Sequence, residues 1–171
     1  MDHSGTFCTP RSPEDVFDLL ADPQRFAPLL PFFESMVVQN ATHFTLRIAI
    51  AVGQINGHAN LDMELRDTLR PTHIEYRGQG IVAGSQLSLM LRFQVVPSPE
   101  ATQVSWRGEL TLDGMLALMA GHVLEPMGRK NFDLMAERLE NGLREKIADE
   151  PATAPSSPET DATNPDGPPH D

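Results

Sequence analysis

The sequence predicts an α+β domain in which one long C-terminal helix packs across a curved antiparallel sheet of about six to seven strands. Between Glu34 and Asp113, apolar and polar residues alternate with a period of two, which is typical of antiparallel strands with one face in solvent. From Pro126 to Ile147, apolar residues recur every three to four positions and indicate an amphipathic helix. Because a helix with one apolar side must cover another apolar surface, we expect it to lie on the sheet.

A first strand and two short helices are predicted before the alternating region. Residues 6–9 fit a strand, and Ser12 then caps a helix that begins at Pro13, where a backbone N–H would have no partner. Asp22 and the proline after it repeat this signal. They predict a second short helix through Phe26, which the next prolines end.

The alternating region is predicted to be a meander of hairpins that forms a strongly curved sheet. Breaks in the alternation fall near Gly53, residues 70–71, Gly84 and residues 97–99. Glycine inside a strand most often marks a bend or a bulge. The glycines that fall inside the predicted strands are Gly57, Gly78, Gly80 and Gly108.

The polar face of these strands carries histidines and charged residues that we expect in solvent. If the first hairpin turns at residues 51–53, Arg47 lies opposite His58 and His43 opposite Asp62, as cross-strand pairs. A metal site needs three or four convergent ligands, and an acid–base mechanism needs a buried ionisable group. The pattern offers neither, so we assign no catalytic residue, no metal site and no cofactor.

The inner face of the sheet is predicted to enclose a cavity beneath the helix. Glycines and pliable methionines leave room there, in the size range of small-molecule sites, whereas the alternative is an ordinary close-packed core. Tyr76 and Trp106 each carry a polar group that binds either a ligand carbonyl or nearby backbone, and both alternatives stay open. The residues predicted to line the cavity are Leu61, Met63, Tyr76, Leu89, Leu91, Phe93, Trp106, Leu110, Met119, Met127, Met135 and Leu139.

A gate to this cavity is predicted just before the long helix. Residues 115–121 are apolar nearly all round and lie between two glycines, and Pro126 beyond them is expected to kink or restart the helix. The predicted gate residues are Met115, Leu116, Leu118 and Met119. The alternative is a helical turn that packs against Leu29, Leu30 and Phe32, and the two interpretations are compatible.

Charge and cysteine content bound the class of protein. A net charge of −11 and an isoelectric point of about 4.8 disfavour binding to nucleic acid and to anionic membrane surfaces. Cys8 is the single cysteine, which excludes an internal disulfide and fits a reducing compartment. Since we find neither a signal peptide nor an apolar run of about 18 residues, we expect a soluble, cytoplasmic protein without an intrinsic membrane anchor.

Composition also divides the chain into a ligand-binding domain, residues 1–149, and a tail, residues 150–171. Residues 151–171 contain six prolines and four acidic residues but no Leu, Ile, Val, Phe or Met. Such a segment cannot bury enough apolar surface to fold, so we expect an acidic, proline-rich, disordered tail.

Several local strings resemble a known family. The predicted element order is similar to that of the helix-grip, or START-like (SRPBCC), superfamily, and Pro13–Pro23 resembles its opening helix. Leu29-Leu30-Pro31, Gly53 with Gly57, Gly78-Gln79-Gly80, and Gly114 to Ala117 resemble the CoxG branch, which is named for a component of carbon monoxide dehydrogenase. The resemblance spans residues 6–147.

This resemblance implies a non-catalytic carrier that holds a quinone or lipid-like molecule as an accessory to a redox enzyme such as a molybdenum hydroxylase. Family members that recruit enzymes to membranes carry an apolar segment after a linker, whereas this sequence ends at residues 168–171 with PPHD. Two alternatives stay open: an enzyme of the polyketide cyclase or dehydratase type, and a pure protein-interaction module that docks through the apolar gate.

Overall fold

The computed structural model describes residues 1–52 and 55–145, without the side chains of residues 52, 55 and 119–121. The strands are β1 (Asp2–Thr9), β2 (Phe33–Val38), β3 (His43–Val52), β4 (Ile55–Leu69), β5 (His73–Val82), β6 (Ser85–Pro97) and β7 (Thr102–Leu112). They form a seven-stranded sheet in the order β1-β7-β6-β5-β4-β3-β2, in which every neighbouring pair is antiparallel. The predicted α+β class is confirmed.

The first two helices begin where the sequence predicts. They are α1 (Pro13–Leu20) and α2 (Pro23–Phe26), which a 3-10 turn (Ala27–Leu29) follows, and the third is α3 (Met115–Glu145). The Ser12 hydroxyl accepts a hydrogen bond from the Asp15 backbone N–H at 3.2 Å, and the Asp22 carboxylate accepts one from the Gln24 N–H at 2.9 Å. Both predicted caps are thereby confirmed. The predicted tail, residues 150–171, lies outside the described residues.

The long helix α3 begins earlier than predicted, and Pro126 lies inside it rather than at its start. The backbone N–H of Leu116 donates to the Ser85 hydroxyl oxygen at 3.1 Å, so a side chain from β6 caps the helix. Pro126 removes one helical hydrogen bond on an exposed side of the helix, where water satisfies the freed carbonyl. The predicted helix end, Ile147, lies outside the described residues.

The register of the β3–β4 hairpin differs from the prediction by two residues. His43 pairs with Glu64 rather than with Asp62, and the predicted pairing of Arg47 with His58 is wrong by the same amount. The turn lies further along the chain than assumed. Because side chains alternate with a period of two, this slip leaves every residue on its predicted face, and both histidines lie exposed on the outer face.

One end of the core is filled by aromatic side chains under α1 and α2. The rings of Phe26 and Tyr76 stack with centroids 4.9 Å apart, and Phe93 meets Phe26 edge to face at 5.6 Å. The Tyr76 hydroxyl donates to the Leu20 backbone oxygen at 2.7 Å. Of the two alternatives for this hydroxyl, the structure therefore shows the bond to backbone.

The other end of the core lies under α3, which packs against β1 and β7 and also meets β3 and β6. Gly108 of β7 allows this approach, since a Cβ atom there would overlap the ring of Phe132. Nearby, the imidazole of His3 lies 2.8 Å from the Asp133 carboxylate and links β1 to the helix. Helix and sheet are thus in direct contact along this edge.

Candidate ligand-binding cavity

A cavity of about 180 Å³ lies between the inner face of the sheet and α3. The strands supply Leu46, Ile48, Ala49, Ile50, Ala51, Leu61, Val82, Leu87, Leu89, Leu91, Leu110 and Leu112. The helix supplies Leu116, Leu124, Met127, Gly128, Asn131, Phe132 and Met135, and Met1, Leu30, Pro31 and Phe32 complete the lining. Apolar side chains dominate, so the free energy of binding would come mainly from apolar burial.

The alternation of the strands explains why the sheet side is apolar. Positions two apart share a face, which brings the lining residues of β3, β6 and β7 together as parallel rows. Leu89 and Leu110 are paired neighbours on β6 and β7, yet both stay partly exposed in the middle of the sheet. Packed side chains at such positions would be fully buried, so the cavity is open to solvent.

The helical side of the cavity follows one stripe of α3. Leu124, Met127, Asn131 and Met135 recur at intervals of three to four residues and therefore face the same way. Among the lining residues that the structure describes, Asn131 alone has a polar side chain. The described lining therefore offers one carboxamide group within an apolar surface.

Phe32 lies at the mouth of the cavity. It is 42% exposed and adopts a φ of 60°, in the left-handed region that a residue with a large side chain seldom occupies. Its backbone oxygen accepts a hydrogen bond from the N–H of Ala49 at 2.9 Å, which fixes the loop against β3. Strained backbone of this kind is often found at functional sites.

The structure places the predicted lining residues in two groups. Six lie at the cavity: Leu61, Leu89, Leu91, Leu110, Met127 and Met135. Five lie in the packed core and do not line it: Met63, Tyr76, Phe93, Trp106 and Leu139. The side chain of Met119 lies outside the described residues. Alternation identifies the inner face of a strand but gives no position along it, so it cannot separate the two groups.

Trp106 lies beside the cavity rather than in it. Its indole ring contacts Gly5, where a Cβ atom would lie 2.9 Å from the ring, and meets His3 edge to face at 5.5 Å. Its centroid is 6.0 Å from that of Phe132, which lines the cavity. The indole is therefore part of the contact between β1, β7 and α3.

Of the four predicted gate residues, Leu116 is buried and lines the cavity. Met115 and Leu118 are 73% and 88% exposed on the first turn of α3. The side chain of Met119 is not described. Leu116 thus packs as the alternative interpretation requires, and gating stays a prediction.

Ionisable groups of the strands lie on the outer face. The Glu75 carboxylate accepts hydrogen bonds from Arg92 Nε at 2.6 Å and Arg77 Nε at 2.7 Å. Although burial alone would raise it, these bonds hold the pKa of Glu75 below its usual value. Within residues 1–52 and 55–145, no three His, Cys, Asp or Glu side chains converge as metal ligands would. The same residues contain no helix that is both long and apolar enough to cross a bilayer.

The sheet, the helix and the apolar space between them define a START-like helix-grip domain. The sequence matches the CoxG family of carbon monoxide dehydrogenase over residues 5–148, and the chain belongs to this family. The resemblance seen in the sequence is confirmed. No curated protein matches the sequence.

Solved structures with the same fold have little sequence identity. A conserved protein from Geobacillus kaustophilus is 14% identical, with a TM-score of 0.73 over 85% of this chain and 97% of that one. A START superfamily protein from Mycobacterium smegmatis is 16% identical, with a TM-score of 0.63 over 86% and 97%. The Zhui aromatase/cyclase from a Streptomyces species is 16% identical, with a TM-score of 0.63 over 86% and 95%. At these identities the likeness shows the fold alone.

Proposed function

We propose that this protein is a non-catalytic carrier that holds an apolar small molecule, a quinone or a lipid-like compound, in the cavity beneath α3. The observation that carries the proposal is the lining itself, in which apolar side chains surround one carboxamide. An ionised substrate would find little to replace its water there, whereas an apolar one would lose unfavourable contact with water.

The size of the cavity favours a ligand with a ring-sized group. Apolar cavities of about 150 Å³ bind benzene, so a cavity of about 180 Å³ can hold one ring. A longer tail would leave through the mouth beside Phe32, or Met127 and Met135 would move to admit it, since methionine side chains are flexible. Burial of a group that exposes about 200 Å² would contribute roughly 5 kcal/mol before the costs of ordering.

The proposed partner is a redox enzyme such as a molybdenum hydroxylase. The family takes its description from a component of carbon monoxide dehydrogenase, which supports an accessory role. We place this role in the cytoplasm, because the exposed thiol of Cys8 suits a reducing compartment.

An acid–base enzyme of the cyclase type is less well supported. Such an enzyme needs an ionisable side chain in contact with its substrate, and the polar side chain among the described lining residues is an amide. The second alternative, a pure interaction module, predicts that the cavity stays empty when ligands are offered.

The proposal can be tested by a fluorescence titration. Trp106 is the single tryptophan and lies next to Phe132 of the lining, so a bound quinone should quench its emission. We expect saturable quenching by short-chain quinones at micromolar concentrations, and a hydrophobic compound in solvent extracts of protein purified from its native host. If extracts are empty and quinones and fluorescent lipid analogues all fail to bind, the carrier function is wrong.

A further inference from the structure

Asn131 interrupts the apolar stripe of α3 at the centre of the cavity. We propose that its carboxamide determines ligand specificity by binding one neutral oxygen, a carbonyl or a hydroxyl, of an otherwise apolar ligand. This inference rests on the proposed carrier function and adds the chemical class of the ligand.

The position of Asn131 on the helix directs it toward bound ligand. It lies four residues from both Met127 and Met135 and seven from Leu124, all of which line the same cavity. Asn131 is partly buried, unlike Asn141 further along the helix, which is exposed. A ligand that fills the cavity would therefore meet the carboxamide and remove it from water.

The carboxamide has no partner of its own in the described part of the chain. The side-chain hydrogen bonds in which α3 takes part there involve other residues: Leu116, Asp133, Arg138, Glu140, Leu143 and Arg144. Solvent in the open cavity satisfies the amide of the free protein. When an apolar ligand displaces that solvent, the amide loses its hydrogen bonds unless the ligand supplies a polar atom. A ligand with an oxygen at this point is therefore selected over a hydrocarbon.

The chemistry of the amide limits which oxygen it binds. Its NH₂ donates to a carbonyl, and its oxygen accepts from a hydroxyl, so ketones, quinones and alcohols all fit. A carboxylate needs a cation to offset the loss of water. The cationic group at the described lining is the Met1 amino group, which donates to the Leu110 carbonyl oxygen at 2.8 Å and is thus already engaged. We therefore expect neutral oxygens to be preferred.

The test compares Asn131→Leu with the wild-type protein by calorimetric titration of three ring-matched probes: naphthalene, 2-naphthol and 1,4-naphthoquinone. Leucine has a similar size but no polar group. We expect the affinity for the two oxygen-bearing probes to fall by about three- to tenfold, while naphthalene binds equally well or more tightly. Asn141→Leu is the matched control on the exposed side of the helix and should change none of the three affinities.

A thermal melt separates this role from a structural one. If Asn131 serves ligand binding, Asn131→Leu keeps or raises the melting temperature, because leucine suits an apolar wall better than an unpaired amide. A lower melting temperature, or an equal loss of affinity for all three probes, would show that Asn131 acts through packing and overturn the inference. Unchanged binding of 2-naphthol and 1,4-naphthoquinone would overturn it while leaving apolar binding intact. If the wild-type protein binds none of the probes, the inference and the carrier function fail together.

Discussion

Gly108→Ala should destabilise the protein by forcing α3 away from the sheet. A Cβ atom at this position would overlap three carbon atoms of the Phe132 ring. That ring has little room to move, since Trp106 and His3 lie beside it with centroids at 6.0 and 6.4 Å. Overpacking of this kind costs about 1–3 kcal/mol, and alanine recovers about 0.5–1 kcal/mol over glycine in a strand. The net loss is about 1–2 kcal/mol, or roughly 2–8 °C in melting temperature for a domain of this size.

The matched control is Gly57→Ala, also within a strand, where an added Cβ atom meets nothing within 4 Å. Thermal melts of both variants, followed by circular dichroism, separate the clash from the general effect of replacing glycine. Because the ring of Phe132 also lines the cavity, Gly108→Ala should weaken probe binding as well. Adding Phe132→Leu should restore part of the lost stability. Equal melting temperatures for the two alanine variants would refute the close approach of helix and sheet.

Other substitutions test the cavity, the cap of α3 and the ion pairs of the outer face. Leu89→Phe should fill part of the cavity and lower ligand affinity at least several-fold in the fluorescence titration, with little loss of stability, because Leu89 projects into space that packing leaves open. Ser85→Ala should cost about 0.5–2 kcal/mol in denaturant unfolding, since it removes the hydroxyl that caps α3 at Leu116, and Ser85→Thr should lose less. Burial raises the pKa of Glu75, but its bonds to Arg92 and Arg77 outweigh this and lower the pKa in the folded state. The contribution of Glu75 to stability is therefore present above the unfolded pKa and disappears as the pH falls through the folded value. Glu75→Gln should flatten the acid limb of the curve of stability against pH, and a limb unchanged from wild type would contradict this assignment.

The sequence predicted the fold because its strongest signals are local. Alternation identified the inner face of each strand, and Ser12 and Asp22 marked two helix starts through bonds that span two or three residues. The start of α3 depends instead on Ser85, which lies 31 positions away from Leu116 in the chain. A long-range cap of this kind leaves no local pattern, so the helix was predicted to begin at Pro126.

The candidate site was predicted only in part for a similar reason. Leu61 and Met63 both face inward on β4, but only Leu61 lines the cavity. The difference arises from α1 and α2, whose side chains fill one end of the core around Tyr76. Asn131 was missed because a single polar residue on an amphipathic helix resembles an ordinary surface position. Its role becomes visible only when the neighbouring strands and their cavity are in place.

The two-residue slip in the β3–β4 hairpin has a consequence for how this chain tolerates insertions and deletions. Only even-numbered changes in the length of that loop keep Leu46 and Ile48 turned toward the interior. An odd-numbered change would exchange inside for outside along a whole strand and expose its apolar row to water. The hairpin is therefore free to grow or shrink in pairs of residues, and closed to any other change in length.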